Sequence, residues 1–126
     1  MMVRDMDFVR EILLKIEDMQ SGMPIKSSDF DSYGRNSITY HANLLNQAGF
    51  LSEFNAFPEM EFNEITGDWS KNNLLFSVNG LTWEGHDFLD KIRDENIWNK
   101  TKGIAKTKGI PLVIGTITVI ATTIIS

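Results

Sequence analysis

Residues 36–51, NSITYHANLLNQAGFL, constrain the fold more than any other stretch of the chain. The side-chain oxygens of Asn36 and Ser37 suit the free amides of a first helical turn. Gly49 follows Ala48 where a helix end needs a left-handed residue, a conformation glycine takes without a Cβ clash. Between these signals, at about 100° per residue, Ile38, Ala42, Leu45 and Ala48 fall on one face. The opposite face carries Asn36, Thr39, Tyr40, Asn43 and Gln47, which all form hydrogen bonds and carry no charge. His41 lies on the apolar side or its edge and reads as a satisfied core histidine rather than a ligand. Phe50 and Leu51 then open an apolar strand.

The flanking chain fits around this helix. Residues 5–19 read as a first helix, with Asp5 and Asp7 at its positive end and a stripe of Val9, Ile12, Leu13 and Ile16. Ser21-Gly22 ends it, Pro24 prevents its continuation, and residues 23–26 read as a short strand. Residues 27–35 are polar and read as a loop or a degraded short helix. Residues 50–57 (FLSEFNAF) alternate and read as a strand, with 74–78 (LLFSV) as its antiparallel partner. The connection 58–73 is acidic, with a turn at Thr66-Gly67-Asp68. Phe62, Ile65 and Trp69 on it are expected to pack on the domain or on a partner. Asn79-Gly80 is a turn. Thr82 caps a further helix with Phe88, Leu89 and Ile92 on its apolar face, and Asp94 or Asn96 breaks it before Ile97 and Trp98. The order is that of an α+β winged helix-turn-helix: a three-helix core with a small antiparallel β-hairpin wing, followed here by C-terminal helices. The polar residues 27–35 stand where such a domain has its second helix, a departure from the plan.

Charge is unevenly placed. All 17 Asp and Glu lie before residue 100, whereas four of the 12 Lys and Arg, namely Lys100, Lys102, Lys106 and Lys108, lie after residue 99. An acidic body repels phosphates at long range, which disfavours general DNA binding. The chain has no cysteine, hence no disulfide, no thiolate nucleophile and no Cys-based zinc site. That usage fits a cytoplasmic setting. No secretory signal precedes the first helix. His86 and Asp90 stand one helical turn apart, but no third ligand is evident where catalytic zinc needs at least three. The chain shows no nucleophile setting, cofactor motif or phosphate-binding glycine pattern.

Residues 109–126, GIPLVIGTITVIATTIIS, carry no charge. Three readings compete. As a helix they would span about 27 Å, slightly under the hydrocarbon thickness of a bilayer, and the preceding lysines suit a tail anchored at the inner face of the membrane. A docked C-terminal helix is the second reading and an extended strand the third, given the β-branched content. The expected organisation is a winged-helix domain over 1–100, a lysine-rich linker over 101–108 and an apolar helix or membrane anchor over 109–126.

The opening RDMDFVREILLKIE, the central ITYHANLLNQAGFL and above all LTWEGHDFLDKIRDENIWNK resemble a small bacterial and prophage-borne family known only as a domain of unknown function. Its members share an "RDMDLIR" start, a "YHLxLLxEAGL" helix and a "LTWxGHxFLDxIRDxxIW" block. The resemblance covers roughly residues 3–100. It implies a winged-helix fold and a bacterial or phage origin, and brings no catalytic residue, metal or cofactor. The uncharged tail departs from the amphipathic tails of that family.

Two functions follow as expectations. The first is a non-enzymatic DNA-binding transcriptional regulator that contacts double-stranded DNA through Arg35, Asn36, Thr39, Tyr40, Asn43 and Gln47, with Lys100, Lys102, Lys106 and Lys108 supplying charge. Asn and Gln suit an adenine edge and the Thr methyl a thymine methyl. The second is an interaction module whose acidic surface docks a protein partner or a second copy, held at a membrane by residues 109–126. A basic strip from Arg35 to the lysines would favour the first, and an apolar patch around Phe62, Ile65 and Trp69 the second.

Overall fold

A computed structural model describes residues 3–126. The order is α1 (Met6–Asp18), β1 (Pro24–Lys26), a 3-10 turn (Ser27–Phe30), α2 (Arg35–Gln47), β2 (Leu51–Ser52), β3 (Asn55–Ala56), β4 (Met60–Asn63), β5 (Asp68–Lys71), β6 (Leu74–Ser77), β7 (Gly80–Leu81), α3 (Trp83–Ile92), α4 (Glu95–Lys108) and α5 (Ile114–Ile125). The fold is α+β. Its sheets are small and antiparallel: β1-β6-β3, β2-β7 and β4-β5.

Helix α1 is the central beam. Asp5 caps it, accepting from the amides of Asp7 at 3.0 Å and Phe8 at 3.2 Å. The stripe Val9, Ile12, Leu13 and Ile16 is buried as the periodicity predicts, together with Met6 and Phe8. Phe8 stacks on Tyr33 with centroids 3.6 Å apart and meets Phe30 edge-on at 5.2 Å. This contact seats the 3-10 turn and the loop after it. The segment is thus a single tight turn where a second helix would stand. His41, buried on α2, satisfies both ring nitrogens. Nε2 accepts from the Asp5 amide at 2.9 Å and Nδ1 lies 2.7 Å from the Ser37 carbonyl. These partners select the neutral tautomer with the proton on Nδ1.

The central helix keeps its buried face of Ile38, His41, Ala42 and Leu45 and its glycine stop, with Gly49 at φ 79°. Its start differs from the expectation. The helix begins at Arg35 behind Gly34, with no side-chain cap, so Asn36 and Ser37 lie within the first turn. The strand expected over 50–57 is also two strands. Glu53 takes φ 54° and breaks the ladder, so β2 pairs with β7 and β3 pairs with β6.

The exit of α2 and the entry of α3 meet closely. The Thr82 hydroxyl donates to the Gly49 carbonyl at 2.5 Å and accepts from the Gly85 amide at 3.1 Å, so one side chain ties a helix exit to a helix entry. The Thr82 amide donates to the Phe50 carbonyl at 2.9 Å, and the Phe50 and Phe88 rings stack at 5.2 Å. A Cβ on Gly85 would lie 2.5 Å from that same carbonyl oxygen. Only glycine admits this approach.

Asp94 ends one helix and begins the next, its carboxylate accepting from the Ile97 amide at 3.0 Å. The lysine-rich residues 101–108, expected as a linker, are the second half of α4. Lys, Thr and Ala tolerate a helix, and the stop signal is Gly109, in the left-handed region at φ 65°. Within residues 109–126 the chain forms helix α5, not a strand. Helix α5 packs on α3 and α4, and Ile117 and Ala121 join the core that contains Met6 and Leu89. The Thr118 and Thr123 hydroxyls bond back to carbonyls one turn earlier, which satisfies them within an otherwise apolar helix. Among the described residues no helix is long and apolar enough to cross a membrane. At about 1.5 Å per residue α5 spans about 18 Å, against about 30 Å of hydrocarbon.

Gly85→Ala should destabilise the protein by about 1–3 kcal/mol through overpacking, although alanine is the better helix former by about 1 kcal/mol. A urea midpoint equal to or above wild type would show that the approach to Phe50 can relax freely.

Candidate functional site

The candidate nucleic-acid residues fall into two groups on different parts of the fold. Arg35, Asn36, Thr39, Tyr40, Asn43 and Gln47 lie on α2, which packs on α1, β2, β6 and the 3-10 turn. The four lysines lie on α4, which packs on α3 and α5.

Within the first group the side chains differ in what they leave free. The Thr39 hydroxyl donates to the carbonyls of Arg35 at 3.0 Å and Asn36 at 3.2 Å. The Asn43 amide donates to the Thr39 carbonyl at 2.9 Å. Tyr40 is half-buried and meets His41 edge-on at 5.2 Å. Asn36, Asn43 and Gln47 are exposed. Arg35 is spent on the protein itself: its guanidinium donates to the Asn72 carbonyl at 2.5 Å and the Phe57 carbonyl at 3.3 Å. These carbonyls stand at the two feet of the β4-β5 hairpin. Asn72 closes the feet further, donating through its side chain to the Pro58 carbonyl at 3.1 Å and through its amide to Glu59 at 2.8 Å. Arg35 therefore clamps the hairpin to the start of α2.

The hairpin is formed by local signals. The Asn63 side chain accepts from the amides of Ile65 at 2.9 Å and Thr66 at 3.3 Å, and the Gly67 amide returns to the Asn63 carbonyl at 2.8 Å. All residues of β4 and β5 are exposed. Phe62 stands opposite Trp69, and their rings lie 5.1 Å apart. Strand alternation puts Met60 on the same face. Ile65 at the tip is 96% exposed and Trp69 is 65% exposed. The apolar residues expected to pack on the domain or a partner thus do not pack on the domain. The strand register puts Lys71 on this face, opposite Met60, and Glu61 and Asp68 on the other face of the hairpin. Met60 also belongs to this face and was not singled out in the sequence. Its spacing of two from Phe62 was the signal, and a core strand carries the same signal. Trp83, 80% exposed at the first turn of α3, gave no sign of exposure, since it follows a cap and precedes a buried stripe.

Of the lysines, Lys102 is engaged. Its ammonium lies 2.7 Å from Asp7 and 5.5 Å from the centre of the Trp98 ring, and the Trp98 indole also donates to Asp7, at 2.8 Å. Burial pushes the Asp7 carboxyl up, but the bonds from Lys102 and Trp98 outweigh it and hold the group below its ordinary value. Among the described residues Lys100, Lys106 and Lys108 have no carboxylate partner. His86 and Asp90 do not converge. His86 faces Glu17 at 3.8 Å, while Asp90 pairs with Arg93 at 2.7 Å. Arg93 also forms a bidentate pair with Glu17, and hydrogen bonding from Arg93 holds the Glu17 carboxyl low. No group of three His, Asp or Glu that could hold a metal occurs among the described residues.

Two tests follow. Arg35→Ala should cost about 1–3 kcal/mol, because it strips two carbonyls of a charged donor, and should speed amide exchange across residues 60–71. Arg35→Lys should recover only part, since an ammonium lacks the fork. Unchanged exchange in Arg35→Ala would remove the clamp. The second test concerns acid. Asp7 and Glu17 titrate below their ordinary values of 3.8 and 4.5 in the folded chain. Their contribution is therefore complete above those values and is lost as pH falls through the lower folded ones. Urea midpoints of wild type should fall below about pH 4.5 more steeply than those of an Asp7→Asn/Glu17→Gln variant.

The comparisons with known proteins agree with the extent of this fold. Residues 3–111 match the family described as "Hypothetical protein (DUF2513)". A Haemophilus influenzae protein described as "Uncharacterized protein" is 33% identical over 126 residues, covering 99% of this chain and 97% of that protein. No solved structure matches. The match runs past the resemblance seen over 3–100 to include all of α4, and the Haemophilus protein spans α5 as well, so the chain belongs to the DUF2513 family of hypothetical proteins.

Proposed function

We propose that this chain is a non-enzymatic winged-helix protein, of bacterial or prophage origin, that works as a protein-interaction module through its β4-β5 hairpin. The winged-helix reading draws support from topology. The order α1, β1, turn, α2, β3, hairpin, β6 with sheet order β1-β6-β3 is that of a winged domain whose second helix has shrunk to the Ser27–Phe30 turn. The hairpin is then the wing.

The observation that carries the interaction reading is the uncovered apolar face of Met60, Phe62 and Trp69, with Ile65 exposed at the tip of the same hairpin. Exposed aromatics of this kind are the usual anchors of an interface. A wing that read DNA would present bases to the backbone, and here Arg35 is already engaged. A second reading, DNA binding through α2, keeps support from the exposed amides of Asn36, Asn43 and Gln47.

The test pairs two assays on the full chain. A photo-crosslinking residue replacing Ile65 should give protein adducts in the native host that disappear in a Phe62→Ser/Trp69→Ser background. Binding to random-sequence duplex DNA should stay weak at low salt. Steeply salt-dependent DNA binding, lost in Asn43→Ala/Gln47→Ala and unchanged in the hairpin variant, would replace the first reading with the second.

A further inference from the structure

The hairpin that carries the uncovered face also carries an uncovered edge. The Asn72 amide donates to the Glu59 carbonyl. By alternation along the ladder, Glu61 with Ser70 and Asn63 with Asp68 are then the hydrogen-bonded pairs. The amides and carbonyls of Trp69 and Lys71 therefore point away from β4, and those of Met60 and Phe62 away from β5. No other strand joins β4-β5 among the described residues. On the β5 side the same line of backbone is covered further on, where β1 pairs with β6 and the Ser27 amide reaches the Asn73 carbonyl. The cover ends there. The edge then runs bare along Asp68–Lys71, with no bulge or proline to blunt it and its one lysine balanced by Asp68.

We infer that β5 pairs, antiparallel and about a two-fold axis, with β5 of a second copy, so that two hairpins form one four-stranded sheet. The inference rests on the reading of the hairpin as an interaction element and names its occupant. Charge selects both the edge and the occupant. β5 begins at Asp68 and ends at Lys71, so an antiparallel copy lays its acidic end beside the basic end of the first. β4 carries Glu61 between Glu59 and Glu64 and holds no base, so two-fold pairing along β4 would bring acids together. Geometry selects the register. With Trp69 opposite Trp69 of the second copy, Asp68 faces Ser70 and Lys71 faces Gly67, and no like charges stand opposite one another. A register centred on Ser70 would set Gly67 of the second copy against Asn73, whose carbonyl Ser27 already holds. The Trp69 register also lines up Phe62 and Trp69 of both copies on one face of the joined sheet. A two-stranded sheet is marginal in water, and three or more strands with an apolar face are steadier. The contact is isologous: it consumes the β5 edge of both copies and closes at two chains.

Sedimentation velocity of the full chain tests this. Wild type should rise with concentration from the 14.3 kDa of one chain to twice that mass and no further. Lys71→Pro deletes an outward amide of β5, leaves the bonds between β4 and β5 in place, and should sediment as monomer. Met60→Pro deletes the matching amide of β4 and should remain a dimer. A dimer that survives Lys71→Pro, or is lost equally in Met60→Pro, would overturn pairing along β5. The register has its own readout, because the chain has no cysteine. Asp68→Cys mixed with Ser70→Cys should form a disulfide between the two variants, since directly opposite residues without a ladder bond lie about 4.5 Å apart at Cα. Neither variant alone should crosslink with itself at a comparable rate, and equal rates would overturn the inference. A monomeric wild type whose hairpin still crosslinks to another protein would overturn self-pairing and leave the interaction module standing, whereas a monomer without adducts would remove both.

Discussion

The backbone carbonyl of Phe50 is the point where the two halves of the molecule meet. It receives the Thr82 amide, it faces the bare Cα of Gly85, and the ring of the same residue stacks on Phe88. The exit of α2 and the entry of α3 thereby share one hydrogen-bonded knot, closed by the Thr82 hydroxyl. Because α4 and α5 build on α3, their placement descends from this contact. A backbone approach of this kind depends on an absent side chain, and packing elsewhere cannot replace it.

Polar side chains tie the helices where the apolar core ends. Arg10 on α1 donates to the last carbonyls of α3, at 2.8 Å to Ile92 and 2.7 Å to Arg93, which would otherwise go unpaired at a helix end. Glu17 on α1 meets Arg93, and Asp7 meets Lys102 and Trp98. Asp7, Arg10, Lys15 and Glu17 of α1 are thus engaged within the protein. The acids of the hairpin and Lys100, Lys106 and Lys108 of α4 form no ion pair among the described residues.

Features set by local chemistry were legible in the sequence. The stripes of α1 and α2, the cap Thr82 and the glycine stop at Gly49 depend on neighbours within a turn, and each stands where its residues place it. Features set at a distance were not. The start of α2 fell at Gly34 rather than Asn36, because the clamp holding that turn reaches residues far along the chain. The lysine stretch resembled a linker by composition, yet nothing in it stops a helix before Gly109. The uncharged tail looked membrane-like because hydropathy does not distinguish a bilayer from the flank of α3 and α4. For the candidate surfaces, the apolar character of Phe62, Ile65 and Trp69 gave packing on the domain or on a partner as the expectation, and sequence alone does not tell the two apart; all three are exposed.

The clamp at Arg35 also has a thermodynamic side. It joins the first turn of α2, whose outer face bears Asn36, to the feet of the hairpin, so ordering in one is ordering in the other. A ligand that steadies the hairpin would lower the entropic cost of steadying the α2 face, and occupation of that face would favour hairpin binding by the same factor. In this fold a single guanidinium links two separate surfaces.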